Sequence, residues 1–366
     1  MGIKPTYPGV YVEESPSGSH PIPGVSTSAT GFVGIARQGL FGQPVRVLSF
    51  ADFQRIFGGL EANAELGYSV MQFFLNGGSD AWVVRVNDLG EIASAVTTFD
   101  EVDQLGLLCI PGSVDPAGLQ AAITYCDQRR TFFIVDPPSG DLKIAQDLAT
   151  TMRGSGTSNA AMYFPPITVA DPLSGGSARV SAPGGSVAGM IARTDMGQGV
   201  WAAPAGAGAH LIGALGVEPT IDDATSQSLA AAGINPIRSI PHAGVVVWSA
   251  HTTAVSEQWK YVPVRRLAIY IEASLISGLQ WAVFEPNDQL LWVQMCNLVT
   301  AFLSELWKRG AFKGSTGDEA FLVKCGLEVM TKSDIDEGRA ALLVGFAPVM
   351  PREMVMLKVT VQLSSR

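Results

Sequence analysis

Charged side chains are scarce in this sequence. Asp, Glu, Lys and Arg make up 16% of its 366 residues, whereas 47% are hydrophobic. Soluble globular domains usually carry about 25% charged residues. A protein with so little charge hides much of its surface, either by assembling into something larger or by enclosing a bulky core. The composition alone does not separate these two possibilities.

Several other features are missing. No run is rich in Lys or Arg, and a net charge of −9 with a pI near 5.0 argues against nucleic acid or anionic membranes as main partners. No apolar run reaches the roughly 18 residues of a membrane span, so we expect no direct membrane insertion. The first residues carry no apolar segment typical of a secretory signal.

Cysteine and histidine are also sparse. The four cysteines, Cys109, Cys126, Cys296 and Cys325, form no CxxC pair, and the four histidines show no HExxH or similar metal-binding spacing. The cysteines lie in apolar stretches, which is typical of buried free thiols in a cytosolic protein. We therefore expect no metal and no cofactor.

Two positions come nearest to catalytic motifs. Ser186 lies one residue short of a GxSxG nucleophile elbow, and no strand leads directly into it. Asp136 follows an apolar strand, where α/β enzymes place active sites, but the sequence offers it no partner base or metal ligand. We interpret Ser186 as part of an ordinary helix start and Asp136 as a turn residue, and predict no catalytic residue. An α/β-fold enzyme of unknown substrate is the alternative.

Apolar strands and helical segments alternate through the first two thirds of the chain. Strands are predicted near 30–36, 82–86, 105–110, 131–135 and 160–164, and helices near 116–129, 141–152 and 184–194. Continuous apolar strands that alternate with helices indicate a mostly parallel sheet covered on both faces. A further helix is predicted to begin at a capping box formed by Ser49 and Asp52. The clearest helix follows Asp288 and ends before Gly310.

Both ends of the sequence carry a β-rich run with no obvious partner nearby. The N-terminal run contains Val10, Tyr11 and Val12, between prolines. In the C-terminal run, polar residues alternate with apolar ones, as in a half-buried strand; the apolar residues are Val355, Leu357, Val359, Val361 and Leu363. Because an open apolar strand invites pairing, each run is expected to complete a sheet elsewhere.

The length predicts two domains. The predicted division is an N-terminal arm at 1–23, an α/β domain at 24–215 with its outer part at 90–215, a C-terminal domain at 216–350, and a C-terminal strand arm at 351–366. The stretch from 171 to 235 is rich in Gly, Ala, Pro and Ser and is interpreted as loops that join the two domains.

One dense polar and aromatic cluster occupies residues 259–266, with Glu272, Trp281, Glu285 and Asp288 nearby in sequence. Arginine beside tryptophan and glutamate suits charge-paired packing at an interface. This cluster specifies no reaction.

These residues also carry a resemblance. The runs match, in order and along essentially the whole chain, the signature of contractile tail sheath proteins. The matching runs are Pro8-Gly-Val-Tyr-Val-Glu-Glu14, Gly216-Val-Glu-Pro219, Gly233-Ile-Asn-Pro-Ile-Arg238, Lys260-Tyr-Val-Pro-Val-Arg-Arg-Leu267, Gln280-Trp-Ala-Val-Phe-Glu-Pro-Asn-Asp288, Ala320-Phe-Leu-Val-Lys-Cys325 and Gly345-Phe-Ala-Pro348. Single runs would be weak, but this many collinear runs are specific.

The resemblance implies a structural subunit rather than an enzyme. Such subunits have an α/β sheet domain and a C-terminal sheath-core domain, and polymerise around an inner tube in a metastable extended state. Contraction then drives the tube through a target cell envelope. The implied partners are other copies of the chain, the inner tube protein, and baseplate and tail-terminator proteins. The implied location is the bacterial cytoplasm during assembly, then a phage tail or an extracellular or intracellular phage-like particle.

The resemblance further implies that both terminal strands are arms exchanged between subunits by β-augmentation. Removing residues 1–14 or 353–366 is then expected to leave a folded subunit that does not polymerise. The tube-facing surface is expected among charged residues of the C-terminal domain, with Lys308, Arg309 and Lys313 as candidates. A phage, a bacteriocin-like particle and a toxin-injecting device are all compatible with the sequence.

Overall fold

The computed structural model describes residues 21–113, 115–137, 140–349 and 354–364. Its strands, numbered along the chain, are β1 (Thr30–Ile35), β2 (Val45–Val47), β3 (Ala81–Val86), β4 (Leu107–Cys109), β5 (Phe132–Val135), β6 (Ala160–Phe164), β7 (Ile167–Asp171), β8 (Ser177–Ser181), β9 (Ala214–Val217), β10 (Ile234–Ile240), β11 (Gly244–Val247), β12 (Phe321–Cys325), β13 (Arg339–Phe346) and β14 (Val355–Gln362). Its α-helices are α1 (Phe50–Phe57), α2 (Glu65–Leu75), α3 (Ile92–Thr97), α4 (Pro116–Arg129), α5 (Leu142–Gly154), α6 (Gly184–Gln198), α7 (Asp223–Ala231), α8 (Val262–Gly278), α9 (Gln289–Lys308), α10 (Gly317–Ala320) and α11 (Lys332–Asp336).

The largest sheet is mostly parallel. Its strands follow the order β11-β10-β6-β5-β4-β1-β3-β2. Neighbours from β3 to β10 run parallel, and only the edge strands β2 and β11 pair in the antiparallel sense. Parallel neighbours require crossover connections, and helices lie between successive parallel strands along the chain. The predicted parallel sheet with helical crossovers is confirmed.

Side chains from this sheet enter two separate cores. Phe32 and Ile134 lie on one side, in a cluster with residues of α2 and α6. Val33 and Phe133 lie on the other side, in a cluster with residues of α3, α4 and α5. Successive side chains of a strand point to opposite faces, so strands that are apolar throughout feed both layers.

Helices α2 and α6 touch through their backbones. Gly185 and Gly189 lie one turn apart on α6. A Cβ atom at Gly185 would lie 2.1 Å from the carbonyl oxygen of Ser69, and one at Gly189 would lie 2.3 Å from that of Phe73. Any larger residue would force the helices apart, so this close packing depends on glycine.

A third core lies in the C-terminal part. Helices α8 and α9 pack with the three-stranded sheet β12-β13-β14. By length and composition α9 could cross a membrane, but its apolar face lies in this core. Asp288 caps α9 by accepting a hydrogen bond from the Leu291 backbone N–H at 3.0 Å, as the predicted start of this helix requires.

One prediction about the middle of the chain was wrong. The stretch at 171–235 was interpreted as loops, but besides α6, which lies where a helix was predicted near 184–194, it contains β8, β9 and α7. Strands β7, β8 and β9 form a sheet of their own. Glycine and alanine suggested loops there, but their small size serves close packing, as on α6. The eight-stranded sheet continues through β10 and β11, beyond residue 215.

Candidate assembly surfaces

Helix α8 connects the parts of the fold. Val262 and Ile269 pack in a core of the eight-stranded sheet, whereas Leu267 and Ile271 pack in the C-terminal core. A helix that is apolar on most sides is typically buried between layers. The position of the eight-stranded sheet relative to the C-terminal core therefore depends on the contacts of α8.

A buried ion pair fastens α8 to α6. Arg266 makes two hydrogen bonds to Asp195, of 2.7 and 2.6 Å, and their side chains are only 3% and 7% exposed. Arg266 also donates to the carbonyl oxygen of Thr27 at 2.9 Å, and the Thr27 hydroxyl donates to Asp195 at 2.6 Å. This arginine clamp (Arg266, Asp195 and Thr27) joins three distant segments, and two-point charge-assisted bonding makes it directional.

A second charged group fastens the same helix to the sheet side. Glu272 on α8 lies 3.1 Å from Arg130, which follows α4, and 3.7 Å from Arg265. Arg265 also donates to the side-chain oxygen of Asn159 at 2.5 Å, and its guanidinium lies 4.6 Å from the ring centre of Trp259. The predicted polar and aromatic cluster is thus partly an internal interface. Asp288, another member of the cluster, lies at the start of α9, where it caps that helix.

The N-terminal segment is held against α8 just before the α/β region begins. Ile22 is buried in the C-terminal core, and the Val25 backbone N–H donates to the Ser274 hydroxyl at 3.2 Å. At Gly24 a Cβ atom would lie 2.1 Å from the hydroxyl oxygen of Tyr270, so a larger residue there would displace the Tyr270 ring. The predicted arm residues Val10, Tyr11 and Val12 lie outside the described residues.

The C-terminal strand has the predicted alternation. Val355, Leu357, Val359 and Leu363 are buried, Val361 is half-buried, and the residues between them are exposed. The strand β14 pairs antiparallel with β13 of the same chain, from Phe346 opposite Val355 to Arg339 opposite Gln362. In the described part of the chain it is an edge strand, because β13 is its only neighbour in the sheet.

The three candidate tube-facing residues lie together at the end of α9. Lys308 is the last residue of the helix, Arg309 follows it, and Lys313 lies in the irregular segment after it; all three are exposed. The Arg309 guanidinium lies 5.4 Å from the ring centre of Trp201, and the Lys313 backbone N–H donates to the carbonyl oxygen of Ala347 at 2.9 Å. They form a basic patch close to the chain segment that leads into β14.

Neither catalytic candidate is placed to meet a substrate. Ser186 is fully buried in the first turn of α6, and its hydroxyl lies 3.3 Å from the Gln72 side-chain oxygen. Asp136 is buried, and its carboxylate accepts a hydrogen bond from the Gly184 backbone N–H at 2.7 Å. Among the described residues no three His, Cys, Asp or Glu side chains come together as metal ligands.

Burial gives Asp136 a role in the pH dependence of stability. Desolvation raises its pKa to about 7, although the hydrogen bond from Gly184 opposes the shift. The folded protein therefore keeps a proton on Asp136 at pH values where the unfolded chain has lost it. The free energy of unfolding therefore falls as the pH rises from the ordinary pKa of an aspartate to about 7, because Asp136 binds its proton more tightly in the folded state.

We expect Asp136→Asn to stabilise the protein at pH 8 and to change little at pH 4. Asparagine keeps the acceptor for the Gly184 N–H but carries no charge, and the gain at pH 8 should be up to about 4 kcal/mol. Urea unfolding of both proteins across this pH range measures the difference. An equal difference at both pH values would mean that Asp136 ionises normally in the folded state.

The chain was compared with known proteins. The model of the phage tail sheath central domain matches residues 90–253, and that of the phage tail sheath C-terminal domain matches residues 254–362. The chain belongs to the contractile tail sheath family. A search of curated proteins gave no significant match.

Solved sheath structures share the fold over nearly the whole chain. The sheath of the PVC extracellular contractile injection system in its contracted state is 28% identical, with a TM-score of 0.78, and covers 98% of each chain. The contracted helical sheath of the anti-feeding prophage is also 28% identical, with a TM-score of 0.77, covering 97% of this chain and 99% of the other. A sheath tail protein from Desulfitobacterium hafniense shares the fold at 10% identity, with a TM-score of 0.70 over 97% of this chain and all of the other.

The tail sheath protein is thus a structural subunit of a contractile sheath and not an enzyme. The residues that hold its parts together were only partly visible in the sequence. The sequence places Arg265 and Arg266 in a polar and aromatic cluster with Trp259. Asp195 and Thr27 lie far from them in sequence, so no local pattern marks these two as their partners. Complementary charge alone does not select one distant carboxylate among many.

Proposed function

We propose that this sheath protein polymerises around an inner tube in a metastable extended state, and that contraction drives the tube through a target cell envelope. The observation that carries the proposal is β14, an apolar edge strand at the end of the chain. A neighbouring subunit can supply or receive such a strand through main-chain hydrogen bonds, while alternate side chains fix its register. In the isolated subunit the strand pairs with β13 of its own chain.

If β14 were exchanged between subunits, it could make the same residue pairs with β13 of a neighbour that it makes with β13 of its own chain. Eight residue pairs join β13 and β14, and the connecting segment from 347 to 354 is short and contains Pro348 and Pro351. Opening this hairpin lets the same strand occupy the same position in a neighbour, as in domain swapping. In this proposal Val355, Leu357, Val359, Val361 and Leu363 fill the receiving subunit's core as they fill their own.

The N-terminal arm is the second proposed connection. Residues 1–23 would reach a neighbour from the anchor that Ile22 and Val25 make on α8. A head-to-tail contact of this kind propagates without closing and builds a tube or helix. Val10, Tyr11 and Val12 would then pair with an open strand edge of that neighbour's C-terminal sheet.

We further propose two units within the subunit. The α/β unit ends at β11 rather than at 215, which is supported by the extent of the eight-stranded sheet. The C-terminal unit carries Lys308, Arg309 and Lys313, whose exposed positive charge suits contact with an acidic inner tube. The extended lattice would persist through a kinetic barrier rather than through nucleotide binding.

The remaining partners follow from the family. A chain 28% identical to this one occurs in the baseplate structure of the anti-feeding prophage, which supports contact with a baseplate; a tail terminator would cap the other end. We place assembly in the bacterial cytoplasm and the mature sheath in a phage tail or a phage-like contractile particle.

Removal of residues 1–14 tests the arm proposal. The deletion leaves the anchor of Ile22 and Val25 on α8 in place, so we expect the shortened subunit to keep its fold and thermal stability. It should form no tubes or rods in negative-stain electron microscopy under conditions where the full chain does. Tubes of normal length from the shortened chain would contradict the proposal, and circular dichroism of both proteins controls for misfolding.

A further inference from the structure

The four cysteines fall into two pairs with different surroundings. Cys109 and Cys126 are fully buried in the two cores of the eight-stranded sheet, and burial raises the pKa of both thiols well above its ordinary value. Cys296 and Cys325 are only partly buried. The expectation of four buried free thiols is therefore wrong for the second pair, which is only partly buried.

Cys296 and Cys325 face each other across the contact between α9 and β12. They line one surface groove whose other walls include Trp292, Val293 and Leu327. Helix α9 packs against β12, and the two thiols are close enough to influence each other's ionisation. Two partly buried cysteines that share one open groove on neighbouring elements are arranged as a dithiol, not as two separate core residues.

The two sulfurs also differ in acidity. Interaction with Cys325 lowers the pKa of Cys296, and the same interaction, together with burial, raises the pKa of Cys325. Cys296 is therefore thiolate to a greater extent at neutral pH than an ordinary cysteine, of which only a few per cent is ionised. Cys296 is the nucleophile of the pair, and Cys325 stays protonated until its partner has reacted.

We propose that Cys296 and Cys325 are a redox-active pair that closes to an intramolecular disulfide when the protein meets a small-molecule disulfide such as oxidised glutathione. The Cys296 thiolate attacks one sulfur of the oxidant, forms a mixed disulfide and releases one glutathione thiolate. Cys325 then loses its proton and attacks the Cys296 sulfur, which releases the second glutathione thiolate. The protein loses two electrons, and the oxidant gains them as two thiols.

The disulfide would fasten α9 to the edge strand of the C-terminal sheet. It encloses the segment from 296 to 325, which includes the end of α9 and α10. Closing a loop of this length is expected to raise the unfolding temperature by about 5 °C. Reducing cytoplasm would keep the pair open during assembly, and release into an oxidising medium would close it; this last link rests on the proposed function, whereas the thiol chemistry does not.

Mass spectrometry of the purified full-length protein tests the pair. The protein is incubated with oxidised glutathione at pH 7.5, quenched with N-ethylmaleimide and digested. We expect a cross-linked peptide joining Cys296 to Cys325 and loss of two hydrogens from the intact mass. Under native conditions Cys109 and Cys126 should be alkylated at least about tenfold more slowly, because buried thiols of raised pKa are inert.

Two variants make the result decisive. Cys325→Ser should stop at a stable glutathione adduct on Cys296, and Cys296→Ser/Cys325→Ser should gain no adduct and no shift in unfolding temperature. Separate adducts on both cysteines of the native protein, or no reaction at either, would overturn the proposal. Tube formation is not part of this readout, so failure here leaves the arm proposal intact and failure of the arm proposal leaves this one intact.

Discussion

Asp195→Asn is expected to destabilise the subunit by about 3–5 kcal/mol, because it leaves the buried charge of Arg266 without its partner. The guanidinium is 3% exposed and makes two short bonds to this carboxylate. Asparagine has nearly the same volume, so the loss measures charge and hydrogen bonding rather than packing. Urea unfolding at pH 7, followed by tryptophan fluorescence, gives the free energy of unfolding.

Two further variants measure the separate contributions of the Thr27 hydroxyl and of the unpaired Arg266 charge. Thr27→Val removes only the hydroxyl that donates to Asp195 and should cost about 1–2 kcal/mol. Asp195→Asn/Arg266→Met removes the stranded charge as well and should recover a large part of the loss. If the double variant is no more stable than Asp195→Asn, or if Asp195→Asn costs under 1 kcal/mol, the clamp does not hold α8 to α6 in the way described.

Val359→Asp is expected to cost about 3 kcal/mol or more and to abolish tube formation, whereas Thr360→Asp should change stability by under about 0.5 kcal/mol. The two residues are adjacent on β14, but Val359 is buried in the C-terminal core and Thr360 is exposed. Both variants keep every main-chain hydrogen bond of the strand. The comparison therefore isolates the side of the strand that meets the core.

The same pair tests whether a neighbour receives β14 in this register. A slip of one residue would bury Thr360 and expose Val359, which would reverse the order of the two effects on assembly. Sedimentation and electron microscopy measure assembly, and unfolding of the unassembled subunit measures stability. Equal effects of the two substitutions on both readouts would contradict the alternation seen in the structure.

The position of β14 also changes one expectation. Deleting residues 353–366 was expected to leave a folded subunit, but three side chains of β14 and the adjacent Leu363 are buried in the C-terminal core. In the isolated subunit their loss uncovers the apolar face of the remaining sheet. We now expect that deletion to reduce solubility as well as assembly, so single substitutions are the cleaner experiment.

Local patterns in the sequence predicted local structure well. Ser49 caps α1, with its hydroxyl accepting from the Asp52 backbone N–H at 3.1 Å, as the capping box indicated. The apolar strands β5 and β6 lie where continuous hydrophobic runs predicted them. In each case the residues that determine the element are a few positions apart, so nearest-neighbour chemistry is sufficient.

Helix α8 shows what the sequence did not reveal. Arg266, Leu267, Ala268 and Ile269 are consecutive and all buried, because the helix has protein on nearly every side. A helix buried all round loses the 3.6-residue alternation that marks one at the surface. The clamp was equally hidden, since 71 positions separate Arg266 from Asp195 and nothing local connects them.

The glycine contact between α2 and α6 has a mechanical consequence. With Gly185 and Gly189 against the backbone of the facing helix, neither helix can slide or tilt without steric collision. Such a block is stiff, and little of an applied load would be absorbed within it. In a contracting sheath the compliance would then reside in the segments that join one subunit to the next, and the work of contraction would pass through each subunit with little internal loss.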